Sequence, residues 1–271
     1  GAGRATGLNH SLVFTLANLR TGYWWDSGIK REQRLDLPGL GRLRRWLFAV
    51  PAFFSTQTLL INEALGNFGG PWFQTWYLSD GGFFEVTGAY ELIRRRVRYI
   101  LLGDSGEDPL GRFNDLSNLI QKARIDFNAD IRFFQETEEL NADPRVARVL
   151  NNFKQNDQHR YEAILTALGG LNDLRPTGAG MTKKHASLGF VYYDNSDAPA
   201  SVILYLKATR NGDEDLDILH YAAENPTFPN ESTGNQFFDE PQWESYRRLG
   251  EHIGTLLFSK SDHNLWFRDL V

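Results

Sequence analysis

The 271-residue sequence contains no cysteine. That absence excludes disulfides, thiolate metal ligands and a cysteine nucleophile, and it fits a reducing compartment. Long hydrophobic runs are missing too. The longest, "WLFAVPAFF" from Trp46 to Phe54, is interrupted by Pro51, far short of the roughly 20 apolar residues of a membrane-spanning helix. Nor is there a large charge of one sign. Lys and Arg number 29 against 34 Asp and Glu, a net charge of -5, which argues against a general nucleic-acid binder and leaves only local basic faces such as Arg94, Arg95, Arg96 and Arg98. The chain opens "GAGRATGLNH", with no Met and no signal-peptide layout. Such an opening is expected of a piece of a longer protein.

What is present suits a packed globular fold. Hydrophobic residues make up 41% of the chain, enough for a sizeable core, and the charged fraction is that of a soluble protein. Residues 1–70 read as an aromatic-rich lead-in, containing a basic amphipathic stretch around Arg42, Arg44 and Arg45 and a helix beginning at Ser55 or Thr56. Residues 71–139 and 186–258 read as an α/β core. Within it, Trp76 to Ser79 is a short strand, Thr87 caps a helix through Ala89, Leu92, Ile93 and Val97, and "RYILLGD" is a buried strand. Strand, helix and strand together predict a parallel βαβ unit. "DLSNLIQKARIDF" predicts another helix and "ADIRFF" another strand. Residues 140–185 read as a helical insertion or lid. "SLGFVYYDN" and "ASVILYLKATRN" predict a hairpin. A last helix starts at Asp239 and turns Tyr246, Leu249, Ile253, Leu256 and Leu257 inward.

The stretch that points to chemistry is "YLSDGG". By itself Asp-Gly is a tight-turn signal, because glycine accepts positive φ without steric cost. Two features raise its interest. Asp80 follows a hydrophobic strand, and the chain then enters an expected parallel α/β unit, whose ligands bind outside the carboxyl ends of the strands. The remaining constellations have plainer explanations. Asp104, Glu107 and Asp108 lack calcium-loop spacing and read as a solvated strand-end turn. Glu85 reads as a solvated turn residue, and Asp213, Glu214, Asp215 and Asp217 as acids at a helix N-terminus. His10, His159, His185, His220, His252 and His263 show no HExxH or paired-ligand spacing, which argues against zinc.

The ordered set "WYLSDGGFFEVTGAYELIRRRVRYILLGD", "FNDLSNLIQKARIDFNADIRF", "GFVYYD", "VILYLKATRNGDE" and "NPTFPNESTGNQFFDEPQWESYRRLGEHI" resembles the patatin-like phospholipases. It is similar above all to the bacterial group whose catalytic domain is like cytosolic phospholipase A2. The likeness covers about residues 77–134 and 188–256. It implies a Ser–Asp dyad in which the aspartate takes the proton of a serine attacking a lipid ester. Asp80 matches that aspartate. Gly81 and Gly82 would let the backbone approach it and leave its carboxylate open to serine and substrate. The resemblance calls for no metal and no organic cofactor.

One part of the pattern is missing. No Gly-x-Ser-x-Gly occurs in the chain, and "GDSGED" around Ser105 lacks the last glycine and follows Asp80 instead of preceding it. The expectation is therefore an α/β protein forming the C-terminal portion of a patatin-like sheet with flanking helices. It would bear the acid of a lipid acyl hydrolase whose serine comes from an upstream segment or a companion chain, and would be inactive alone. The expected partners are that segment, a lipid ester and a membrane surface, with no nucleic acid; the expected location is cytoplasmic or peripheral to a membrane. The alternative is a non-catalytic interaction or scaffold subunit that kept the fold.

Overall fold

A computed structural model describes residues 22–29, 55–68, 73–177, 180–232, 234–235, 237–258 and 265–271. The basic stretch around Arg42, Arg44 and Arg45 lies outside them. The chain is α/β and divides into two compact units, Gly1–Val86 and Thr87–Val271.

In the first unit, β1 (Gly22–Asp26) pairs antiparallel with β2 (Thr75–Ser79), placing Trp24 opposite Tyr77 and Trp25 opposite Trp76. Alternation along the strands divides their side chains between two faces. On one face Trp24 stacks on Phe68 at 5.9 Å and meets Tyr77 edge-on at 5.0 Å. The Tyr77 hydroxyl donates to Glu63 Oε1 at 2.8 Å, which ties β2 to α1 (Ser55–Ala64). The other face leaves Tyr23, Trp25, Trp76 and Leu78 exposed. The expected βαβ unit does not form. β2 exists, but its partner is β1, and it belongs to a different sheet from the strand that follows. Periodicity marks a strand without naming its neighbour, and an antiparallel aromatic ladder competes for this one.

The second unit is built on a five-stranded sheet. Its strands are β3 (Tyr99–Asp104), β4 (Ala129–Phe133), β5 (Leu168–Gly169), β6 (Ala186–Tyr193) and β7 (Ser201–Lys207). The order is β3-β7-β6-β4, with β5 also paired to β6. β3 runs parallel to β7, and the β6–β7 hairpin and β4–β6 are antiparallel. β6 and β7 are the central strands and are buried on both faces along almost their whole length, as their continuous apolar runs require. β3 lies at the end of that order, and Leu101 is exposed, so it alternates where full burial was expected.

Helices cover both faces. On one, α2 (Ala89–Arg94) and α3 (Asn114–Phe127) pack Ile93, Leu116, Leu119 and Ala123 against Ile100, Ile203 and Tyr205. Thr87 Oγ1 accepts from Ala89 N at 3.2 Å at the start of α2. On the other face lie α4 (Thr137–Ala142), α5 (Pro144–Asn156), α6 (Gln158–Ala167), α7 (Leu216–Glu224) and α8 (Glu240–Leu257). There Val146, Ile164, Leu249, Ile253 and Leu257 meet Leu188, Phe190, Val202 and Leu204. The helical segment expected as an insertion or lid contributes Leu140, Val146, Val149 and Ile164 to this core layer. α5 starts as its sequence demands, with Asp143 accepting from Arg145 N at 2.9 Å and Pro144 in the first turn. Asp239 caps α8 through Gln242 N at 2.9 Å.

The arginine cluster after α2 carries little free charge. Arg94 and Arg95 both clamp Glu91, Arg96 pairs with Asp194 at 2.7 Å, and Arg98 donates to the Val271 oxygen. Hydrogen bonds from Arg94 first, then Arg95, hold the Glu91 carboxyl down at about 2.

Candidate functional site

Asp80 leaves β2 in an extended conformation, with φ -56° and ψ 136°, and the chain turns at once into a single 3-10 turn, Gly81–Phe83. Asp80 Oδ1 accepts the Gly82 N–H at 2.8 Å and so caps that turn. Phe84 N and Glu85 N both donate to Gly81 O at 2.8 Å. Among the described residues no hydrogen-bond partner of Asp80 Oδ2 is found, and the side chain is exposed. One carboxylate oxygen is fixed by the turn, on a side chain that is exposed.

The two glycines differ in what they permit. Neither adopts a positive φ, so the left-handed turn that Asp-Gly implies is not their reason. A Cβ on Gly82 would lie 3.3 Å from Asp80 Oδ1, whereas a Cβ on Gly81 would meet nothing within 4 Å. Glycine at 82 lets Asp80 Oδ1 approach without being displaced, and nothing in the packing favours it at 81. Glu85, expected as a solvated turn residue, is buried at 6% exposure.

A second strand-end aspartate shows what full engagement looks like. Asp104 closes β3, and its Oδ1 accepts Gly106 N at 2.9 Å. Its Oδ2 accepts the Tyr205 hydroxyl and Lys207 Nζ at 3.1 Å. All three side chains are buried. Burial first, and then the neighbouring Asp104 charge, push the Tyr205 phenol far above its usual range. Asp108 is likewise occupied, accepting Arg112 N and Phe113 N, both at 2.8 Å. The solvated acidic turn expected here is an internally bonded one.

No protein-family model, curated protein or solved structure matches this chain. The candidate sites stand on their own geometry.

Sequence spacing missed one constellation altogether. The loop after β7 and the middle of α8 bring Asp213 and His252 against His185, which immediately precedes β6. Asp213 Oδ1 lies 2.7 Å from His252 Nε2 and 3.9 Å from His185 Nε2, and the three ligand atoms fall within 4.8 Å of one another. His185 is fully buried, and its burial pulls its imidazole pKa below the usual value. The only hint in the sequence was a lone histidine leading directly into a continuous apolar strand.

The large cleft of the second unit carries less chemistry. It encloses about 720 Å³ between Tyr99, Arg148, Phe153 and Trp266. It opens at the start of β3, opposite the carboxyl end where α/β ligands bind. Two of its arginines are already engaged, Arg98 with the Val271 oxygen and Arg148 with the Asp269 carbonyl at 2.6 Å.

Proposed function

We propose that this chain is the acid-bearing part of a serine lipid acyl hydrolase, with Asp80 as general base toward a serine carried by an upstream segment or a companion chain. The observation that carries the reading is the divided carboxylate of Asp80: Oδ1 is held by Gly82 N, and Oδ2 has no partner among the described residues. A base must meet its proton at about 2.6–3.2 Å. A carboxylate oriented through one oxygen offers the other in a fixed direction. The residues that carry the resemblance, "SDGGFFEVTGAYELIRRR", support assigning the partner as a nucleophilic serine.

The exposed face of the β1–β2 sheet supports a lipid substrate. Tyr23 and Trp25 on β1 and Trp76 and Leu78 on β2, the strand that leads into Asp80, present apolar and amphipathic surface, and aromatic rings with a polar edge suit a lipid–water boundary. Among the described residues no helix is long and apolar enough to cross a membrane.

The test is reconstitution. The chain joined to its serine-bearing segment should hydrolyse a short acyl ester, and Asp80→Asn should lower turnover by on the order of 10²–10⁴-fold, the usual contribution of a positioned base. A folded, reconstituted protein with no turnover would instead support the interaction-subunit reading.

A further inference from the structure

The loop between β7 and α7 is folded around a buried carboxylate. Glu214, 5% exposed, accepts Asn211 N at 2.7 Å and Gly212 N at 3.0 Å. Gly212 has φ +95°, and a Cβ there would strike Met181 Cε at 2.6 Å, so only glycine fits. Asp213 N then donates to Asn211 Oδ1 at 3.1 Å. The loop thus presents the Asp213 carboxylate to His252 on α8 and to His185.

His185 is held with comparable care. Its backbone N–H donates to Ala167 O, and its carbonyl accepts Lys207 N, both at 2.9 Å. Its Nδ1 lies 2.9 Å from Thr209 Oγ1. The Thr209 hydroxyl has a single proton, and two carbonyl oxygens, of Lys184 at 3.2 Å and Lys207 at 3.3 Å, compete for it. Donating to either carbonyl leaves the Thr209 oxygen to accept from His185 Nδ1, the tautomer that places a lone pair on Nε2. That Nε2 is buried and has no hydrogen-bond partner among the described residues. It faces a carboxylate oxygen 3.9 Å away, too far for a hydrogen bond in either tautomer. A buried polar atom in that position is costly unless something bridges it.

We propose that His185 Nε2, Asp213 and His252 Nε2 bind one divalent transition-metal cation of the zinc type. Two imidazoles and a carboxylate are a donor set for such metals, and imidazole nitrogen disfavours calcium and magnesium, which take oxygen. Donors about 2.0–2.2 Å from a tetrahedral ion stand roughly 3.3 Å apart. The two separations from Asp213, 2.7 and 3.9 Å, bracket that value, and all three donor atoms already lie within 4.8 Å of one another, so side-chain shifts on the order of an ångström complete the site. Thr209 on the far nitrogen of His185 is the kind of outer partner that orients a ligating histidine. Asp213 is partly exposed, which leaves the fourth position open to water. The cation would clamp the β7–α7 loop and α8 to the entrance of β6. This inference is independent of Asp80, and it departs from the metal-free chemistry that the resemblance implies.

The experiment is zinc titration of the chelator-treated chain, followed by calorimetry and by metal content after dialysis. The native chain should retain one equivalent, and zinc should raise its melting temperature, since a ligand bound only by the native state stabilises it. Asp213→Asn and His252→Gln should each weaken binding by at least about 100-fold. Thr209→Val should weaken it by about 10- to 100-fold, as loss of an outer partner does. His220→Gln, an exposed histidine beside Glu224, should change nothing. Circular dichroism checks that each variant is folded; because His252 and Asp213 lie outside the apolar core, the test stands even if His185→Gln unfolds. No stoichiometric uptake by the native chain, or equal uptake by Asp213→Asn and His252→Gln, overturns the site.

Discussion

Asp80 and Asp104 share one local geometry and differ in everything beyond it. Each ends a strand, and each accepts through Oδ1 the N–H of a glycine two residues on, at 2.8 and 2.9 Å. At Asp104 the second oxygen is taken by Tyr205 and Lys207 in a buried cluster. At Asp80 it has no partner among the described residues, on an exposed side chain. The same Asp-x-Gly turn can therefore anchor a sheet or hold a carboxylate ready. What decides is whether the neighbouring strand brings a donor. β7 does so for β3, running parallel and placing Lys207 beside Asp104 in register, whereas the described pairing of β1 with β2 runs only as far as Gly22 opposite Ser79, one residue short of Asp80.

The largest effect expected from this contrast is at Lys207. Lys207→Met leaves the Asp104 charge buried without its cation, and unfolding in denaturant should show a loss of about 3–5 kcal/mol. Tyr205→Phe removes one donor and leaves Lys207, so the expected loss is about 1–3 kcal/mol. Asp143 sits between the two aspartates in engagement. It caps α5 and pairs with Arg145 at 2.6 Å. The hydrogen bond from Arg145, opposed by burial, lowers its carboxyl pKa. A lowered folded-state value means the stabilisation is present above the unfolded carboxyl value of about 3.9 and fades as pH falls below it. Asp143→Ala should cost about 1 kcal/mol at neutral pH, and its difference from the native chain should shrink as pH drops below about 4. The smallest effect separates the two glycines. Gly82→Ala must push Asp80 Oδ1 by a few tenths of an ångström, so it should lower turnover of the reconstituted enzyme while changing stability by less than about 0.5 kcal/mol. Gly81→Ala should change neither.

Much of the second unit was legible in the sequence because its signals are local. The β6–β7 hairpin announces itself as two apolar runs around a polar turn, and α8 by its Asp239 cap and a helical stripe ending in Leu257. Pairing across long distances was not legible. The strand expected at Trp76–Ser79 is present as Thr75–Ser79, but Gly22–Asp26, its partner, lies some fifty residues earlier and carries no feature that names it. The same holds for chemistry. Asp80 stood out because its neighbours in sequence are also its neighbours in space. His252 lies 39 residues from Asp213, on a separate helix, and Thr209 lies 24 residues from His185. Only the fold brings them together, so spacing rules for metal ligands could not find them. Asp104 misled in the opposite direction: a run of acids read as solvated because its lysine and tyrosine partners stand a hundred residues away.

The decisive measurement pairs turnover with stability in Asp80→Asn, in the protein reconstituted with its serine-bearing segment. A carboxylate held open for chemistry should give a large loss of ester hydrolysis, with the unfolding free energy within about 0.5 kcal/mol of the native protein. Undiminished hydrolysis would contradict the account, and so would a loss of activity that merely follows a loss of folding.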